Sequence, residues 1–307
     1  MSPIAVGFAA PFRWLGKAFD VGRRNPKALF GAIALMVTVV FAISLLQGLV
    51  QALGQASGLG MAITMAVSTV ASWLLLPPLF GGIYRVVDAG ERGQPAVATD
   101  VFKLFGDKPA YRRMVLVNLV YSLAYFALLA LSLLTSLGQF LRGYFTIIMS
   151  TPLGADPDQA ALLALVQATP PTALLWMPLL ALVMAAWFHA SMFAQVTAAL
   201  RAASVAECVA AGLLALARNL LPLLAMAAVV MVGGFVVLFL VSLVLALVVG
   251  LLSLLSPVLG MLVMLPLMLA LLLAIYALMF GFYYHGWREI FGEAGAAPPA
   301  APGELAA

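Results

Sequence analysis

Two sets of polar side chains stand inside otherwise apolar sequence, and chemistry would be sought there first. Asn118, Tyr121, Ser122 and Tyr125 recur at i, i+3, i+4 and i+7, a spacing that places them on one face of a helix. Further along the chain, His189, Ser191 and Gln195 stand in a second apolar stretch. Amide, phenol, hydroxyl and imidazole groups can together hydrogen-bond a polar ligand. No carboxylate accompanies His189 to orient it, so general-base catalysis is not expected there. The seven residues therefore form a candidate ligand-binding site for a headgroup or small polar molecule. The same groups could equally serve as hydrogen bonds between helices, worth about 0.6 kcal/mol per contact.

The elements that must carry these residues follow from composition. Charged residues are 8% of the chain and hydrophobic residues 65%, a balance that a water-exposed fold cannot cover with polar groups. Six stretches satisfy the roughly 20 apolar residues that a spanning helix needs: 28–53, 59–86, 114–137, 172–200, 221–252 and 258–285. The first is too long for the apolar core of a signal peptide and is read as a span. The fifth exceeds the bilayer and should tilt or extend beyond it. On these limits Asn118 and Gln195 lie roughly 10–13 Å inward of the bilayer centre at about 1.5 Å per residue. Tyr121, Ser122, His189 and Ser191 lie nearer to it, so the two sets match in depth. A stripe of Ala186, Ala190, Ala194 and Ala198 would let the third and fourth helices approach closely.

Orientation rests on lysine and arginine. Arg13, Lys17, Arg23, Arg24 and Lys27 precede the first span, and Arg85, at the inner end of the second, clusters with Arg92, Lys103, Lys108, Arg112 and Arg113 ahead of the third. Arg201 and Arg218 separate the fourth from the fifth, and Arg288 follows the sixth. Of the 15 basic residues, Arg142 alone falls on the opposite side. The positive-inside rule makes the crowded side cytoplasmic, with both termini there. The interior of every span is free of Asp, Glu, Lys and Arg, which argues against a proton-coupled pump or an ion channel. Cys208 is the single cysteine and there are two histidines, so neither a disulfide framework nor a histidine-rich metal site is expected. No nucleotide, zinc or hydrolase motif is present. No cofactor and no nucleic-acid partner is expected. The dispersed cations would face anionic headgroups, at about 1 kcal/mol each.

The chain also predicts an internal triplication near 10–90, 100–203 and 204–290. Phe12-Arg13-Trp14-Leu15-Gly16-Lys17-Ala18-Phe19 leads to Arg23-Arg24-Asn25-Pro26; Asp100-Val101-Phe102-Lys103-Leu104-Phe105 leads to Asp107-Lys108-Pro109; the run from Ala206 to Leu216 leads to Arg218-Asn219 and Pro222. Each reads as a short amphipathic helix at the inner interface, aromatic side toward lipid, then a polar break and a proline in the first turn of a span. Gly54-Gln55-Ala56-Ser57-Gly58 and the segment around Ser253, Ser256 and Pro257 are tight outer turns. The long outer connection, 138–171, should hold an interfacial stretch at 140–149. A short helix over 159–167 should follow, with Asp156 as its N-cap. Pro77-Pro78 and Gly81-Gly82 suggest a bend in the second helix. Tyr283, Tyr284, His285 and Trp287 suggest an interfacial aromatic belt. Residues from Gly295 onward should be a disordered tail.

Several motifs carry a resemblance. Arg23-Arg24-Asn25-Pro26, Leu76-Pro77-Pro78-Leu79-Phe80-Gly81-Gly82 and Arg92-Gly93-Gln94-Pro95 before Asp100-Val101-Phe102 resemble, in order, motifs of an uncharacterised proteobacterial family of six-helix inner-membrane proteins, and Trp287-Arg288-Glu289-Ile290-Phe291-Gly292 is similar to the last-helix exit of related families. That family is related to the membrane domain attached to some glycerophosphodiester phosphodiesterases. The resemblance spans most of 10–292 and departs at 138–171. It implies the fold and a bacterial inner-membrane location. It implies no catalytic residue, because the phosphodiesterase activity belongs to a separate soluble domain. The sequence thus predicts an all-α membrane protein, one transmembrane domain over 1–292 with a tail at 293–307. Its expected role is that of a non-enzymatic scaffold, regulator or lipid-interacting protein, with membrane lipids and other membrane proteins as partners. The alternative is a transporter of a lipid or small polar molecule that uses the polar site on the third and fourth spans.

Overall fold

Backbone N–H and C=O groups placed in lipid must bond within their own segment, which makes the helix the natural form for long apolar runs. The computed structural model describes residues 3–53, 58–151 and 156–292, and no strand occurs among the described residues. In chain order the helices are α1 (Ala10–Ala18), α2 (Pro26–Leu53), α3 (Gly58–Val70), α4 (Leu76–Glu91), α5 (Lys103–Gly106) and α6 (Lys108–Ser132). They continue with α7 (Leu137–Ser150), α8 (Gln159–Ala168), α9 (Pro171–Leu200), α10 (Val205–Arg218), α11 (Leu220–Leu255) and α12 (Pro257–Ile290). A π-helical segment, Ala71–Leu75, joins α3 to α4, and a 3-10 turn, Ala98–Phe102, leads into α5. Among the described residues, six helical stretches are long and apolar enough to cross a membrane: α2, the second half of α3 with α4, α6, α9, α11 and α12. At about 1.5 Å per residue α11 reaches roughly 54 Å, well beyond a hydrocarbon core of about 30 Å.

The third span departs from its expected limits, beginning at Lys108 and ending at Ser132. Pro109 sits in its first turn, where a missing N–H costs nothing, so the helix starts ahead of the charged Arg112 and Arg113. It stops because Leu133, Leu134 and Thr135 bond back to Ala130, Leu131 and Ser132 in tight turns. The cap of α8 is Asp158 rather than Asp156. The Asp158 carboxylate accepts from the N–H groups of Ala160 and Ala161 at 2.9 and 3.2 Å, which puts Pro157 ahead of the helix. The outer turn at 54–57 and the tail from Gly295 lie outside the described residues.

The chain forms two compact units. In the unit made of Leu119–Phe188, α7 packs on α8. In the other unit α12 is the centre, contacted by α1, α2, α4 and α11, while the 3-10 turn packs against α2 and α4. Two glycines permit that packing. A Cβ at Gly82 would collide with the carbonyl oxygen of Val101, so α4 and the 3-10 turn meet backbone to backbone. A Cβ at Gly286 would stand 2.9 Å from the Trp14 ring. Trp14 is fully buried in that slot, edge-on to Phe193 and Phe282. The aromatic face of α1 is therefore divided: Trp14 turns inward onto α12, and Phe12 and Phe19 remain exposed.

The second span carries a register change. In the π segment the Leu76 N–H bonds the carbonyl of Ala71, five residues back. The next pair in that register would be Pro77 with Ser72, but proline has no N–H. The freed Ser72 carbonyl instead receives the Asn118 side-chain amide at 3.5 Å.

Candidate functional site

The charged and aromatic residues that the structure draws together lie at one end of the spans. Glu289, in the last turn of α12, accepts from the Arg13 guanidinium at 2.7 Å and from the Trp14 indole N–H at 2.9 Å. Asp88 accepts from the Tyr284 hydroxyl at 2.9 Å and from Arg92 at 2.8 Å. The last carbonyls of α9, a partially negative helix end, are held by two guanidiniums. Arg85 donates to Ala199 at 3.0 Å and Arg113 to Ala198 at 2.9 Å. Trp287 donates to Thr197 Oγ1 at 2.9 Å, and Arg201 lies over the Trp287 ring. Several loop cations expected to face headgroups are thus bound within the protein.

Three residues stand at equivalent places in the polar breaks, and two of them cap the helix that follows. Asn25, Asp107 and Asn219 each directly precede an odd-numbered span. Asn25 Oδ1 caps α2 through the Ala28 N–H, and its amide donates to the Ala96 carbonyl at 2.8 Å. Asp107 Oδ1 caps α6 through the Ala110 N–H, and Oδ2 accepts from Arg85 at 2.8 Å. The Arg85 hydrogen bond and the Ala110 N–H hold the Asp107 carboxyl below the usual carboxylate range. At α11 the corresponding N–H does not exist, because the third residue of that helix is Pro222. Asn219 Oδ1 accepts instead from Val6 N–H at 2.7 Å, and its amide donates to the carbonyls of Ile4 and Ala215. Arg218 donates to the Pro3 carbonyl, so residues 3–6 are strapped onto the α10–α11 junction. Fully buried Asn219 thus has its polar atoms satisfied by a segment more than two hundred residues away in sequence.

The seven candidate residues are found as follows. Asn118 is bonded to Ser72, as described. His189 is buried, and its Nδ1 lies 2.8 Å from the Tyr283 hydroxyl. Gln195 donates to Ser191 Oγ at 3.1 Å, one turn back on α9, and its buried Oε1 has no hydrogen-bond partner among the described residues. Tyr121, Ser122 and Tyr125 belong to the Leu119–Phe188 unit. There Tyr121 is buried beside Trp187, rings 4.9 Å apart, and its carbonyl accepts the Trp187 indole N–H at 3.0 Å. Ser122 is half-buried, and Tyr125 is exposed beside Phe126. Within this unit α6 and α9 are therefore bonded through Tyr121 and Trp187. Ala190, Ala194 and Ala198 of the small-residue stripe are fully buried.

Sequence reasoning passed over Glu289, Asp88 and the bonding role of Asn219. The paired acidic and aromatic residues near the span ends were the available signal, since a carboxylate beside a span needs a donor. Ser204 and Glu207 form a reciprocal cap on α10, legible as the S-x-x-E pattern. Cys208, on the same helix, is buried, which pushes its thiol up to about 11 and leaves it protonated and unreactive at neutral pH.

A polar concavity in the larger unit is lined by Lys17, Asp20, Glu91, His285 and Arg288, with a volume of about 240 Å³. No group of three or more histidine, cysteine, aspartate or glutamate residues with metal-holding geometry occurs among the described residues. The described residues form helices without strands, six of the helices fit to cross a membrane, the pattern of a multi-pass membrane protein. No protein-family model, curated protein or solved structure matches the chain.

Proposed function

We propose that the chain is a multi-pass protein of the bacterial inner membrane, with both termini cytoplasmic, that binds lipids and scaffolds or regulates membrane-protein partners without catalysing a reaction. The observation that carries this reading is a division along the spans. Ion pairs and buried aromatics concentrate at the end where the basic residues lie, whereas the rest of the apolar surface stays open. On α11, Phe235 is 72% exposed and Leu254 is 83% exposed. Such surface is stable only against acyl chains or other spanning helices. The three Asx-led breaks support parallel hairpin repeats, the first and third preceded by the short helices α1 and α10 and the second by the 3-10 turn with α5. They also support kinship with the six-helix inner-membrane family whose motifs the chain resembles.

The bonding of His189 to Tyr283, and of Gln195 to Ser191, favours hydrogen bonding within the fold over a transport site. The test is thermal unfolding of delipidated protein in detergent, with bacterial phospholipid added back. Binding to the native state raises the midpoint with lipid concentration, and His189→Ala should keep that response. A midpoint indifferent to every phospholipid would sink the lipid-binding reading.

A further inference from the structure

The concavity lined by Lys17, Asp20, Glu91, His285 and Arg288 has the composition of a recognition site. Its two cations and two carboxylates balance, so neither a simple anion nor a simple cation completes it. Three of the five side chains also have unused hydrogen-bonding capacity among the described residues. The Lys17 ammonium, the Glu91 carboxylate and the His285 imidazole make no side-chain hydrogen bond to the described residues. Glu91 and His285 are only half-exposed, where a polar group without a hydrogen bond is costly. An occupant must therefore offer both an anionic oxygen and a hydrogen-bond-donating cation.

Size and place narrow the choice. A volume of about 240 Å³ lies just below the range of small-molecule pockets, a size for a headgroup rather than a whole lipid. The lining comes from the end of α1, the last residue of α4 and the last two turns of α12, so the concavity lies at the ends of spans. Phe19 stands between Lys17 and Asp20 in sequence and is 66% exposed, and Phe12 is also exposed. Exposed phenylalanines beside a charged concavity suit the boundary between headgroups and acyl chains.

We propose that this concavity binds the headgroup of an aminophospholipid of the phosphatidylethanolamine class. Lys17 and Arg288 take the phosphate, and Glu91 and Asp20 take the primary ammonium. The assignment rests on the lipid-binding reading above and adds a headgroup preference to it. Phosphatidylcholine has the same charges but no N–H to donate, and phosphatidylglycerol has no ammonium.

Native mass spectrometry of the delipidated full chain, titrated separately with the three lipids, tests it. The expected result is one retained phosphatidylethanolamine per chain, bound at least tenfold more tightly than phosphatidylcholine or phosphatidylglycerol. Glu91→Gln should abolish the preference over phosphatidylcholine. Asp20→Asn, at an exposed position where folding is not at stake, should weaken it. Equal binding of all three lipids, or a preference for phosphatidylglycerol, would overturn the headgroup assignment while leaving lipid binding intact. Absence of any retained lipid would fail both readings. Soluble phosphoethanolamine at equal concentration should not displace the lipid; displacement would overturn the lipid as the source of the headgroup.

Discussion

A side chain in this protein is best understood by asking which orphaned backbone group it serves. Asn219 illustrates the point. Pro222 deprives it of the N–H that Asn25 and Asp107 cap, and its carbonyl oxygen binds Val6 instead. Asn219→Ala removes the acceptor for Val6 and the donor to Ile4, at about 1–3 kcal/mol for buried polar groups left unmatched. Hydrogen exchange should then accelerate across residues 3–9, and unchanged protection there would contradict the strap. Asp107 gives a pH dependence of defined sign. Its folded carboxyl lies below its unfolded range, held by Arg85. The stabilisation is complete above the unfolded value, near 3.9, and is lost as pH falls through the lower folded value. Asp107→Asn should therefore unfold at lower temperature than the parent at pH 7. The gap should close in acid, as followed by thermal melts between pH 7 and 3.

Among the elements, the apolar runs made the spans legible, because length and hydropathy alone specify them. The partners of the polar residues were not legible. Asn118 was placed on a helical face with Tyr121 and Ser122, yet its amide binds the Ser72 carbonyl. That carbonyl is free only because a π register meets Pro77, and a register change leaves no trace in hydropathy. Of the Pro77-Pro78 and Gly81-Gly82 pairs expected to bend the second helix, Pro77 meets the π register, whereas Gly82 admits the Val101 backbone. A double-mutant cycle tests this. Asn118→Ala alone should cost about 0.6 kcal/mol, in the range of measured interhelical contacts. In a Pro77→Ala background the restored N–H satisfies Ser72, so the Asn118 effect should vanish. Strict additivity of the two substitutions would rule the coupling out.

For the molecule as a whole, the governing feature is the gathering of charge at one end of six apolar helices. Fourteen of the 15 cations were assignable to that end from sequence. Their pairing was not, since Arg13 with Glu289 and Arg85 with Ala199 join residues far apart in the chain. The most direct test is thiol labelling of intact cells with a membrane-impermeant reagent, in a Cys208→Ser background. Arg142→Cys should label from outside, and Arg23→Cys and Lys103→Cys only after the inner membrane is breached. Labelling of Arg23→Cys or Lys103→Cys in intact cells, with Arg142→Cys protected, would reverse the orientation and contradict the cytoplasmic placement of the charged end.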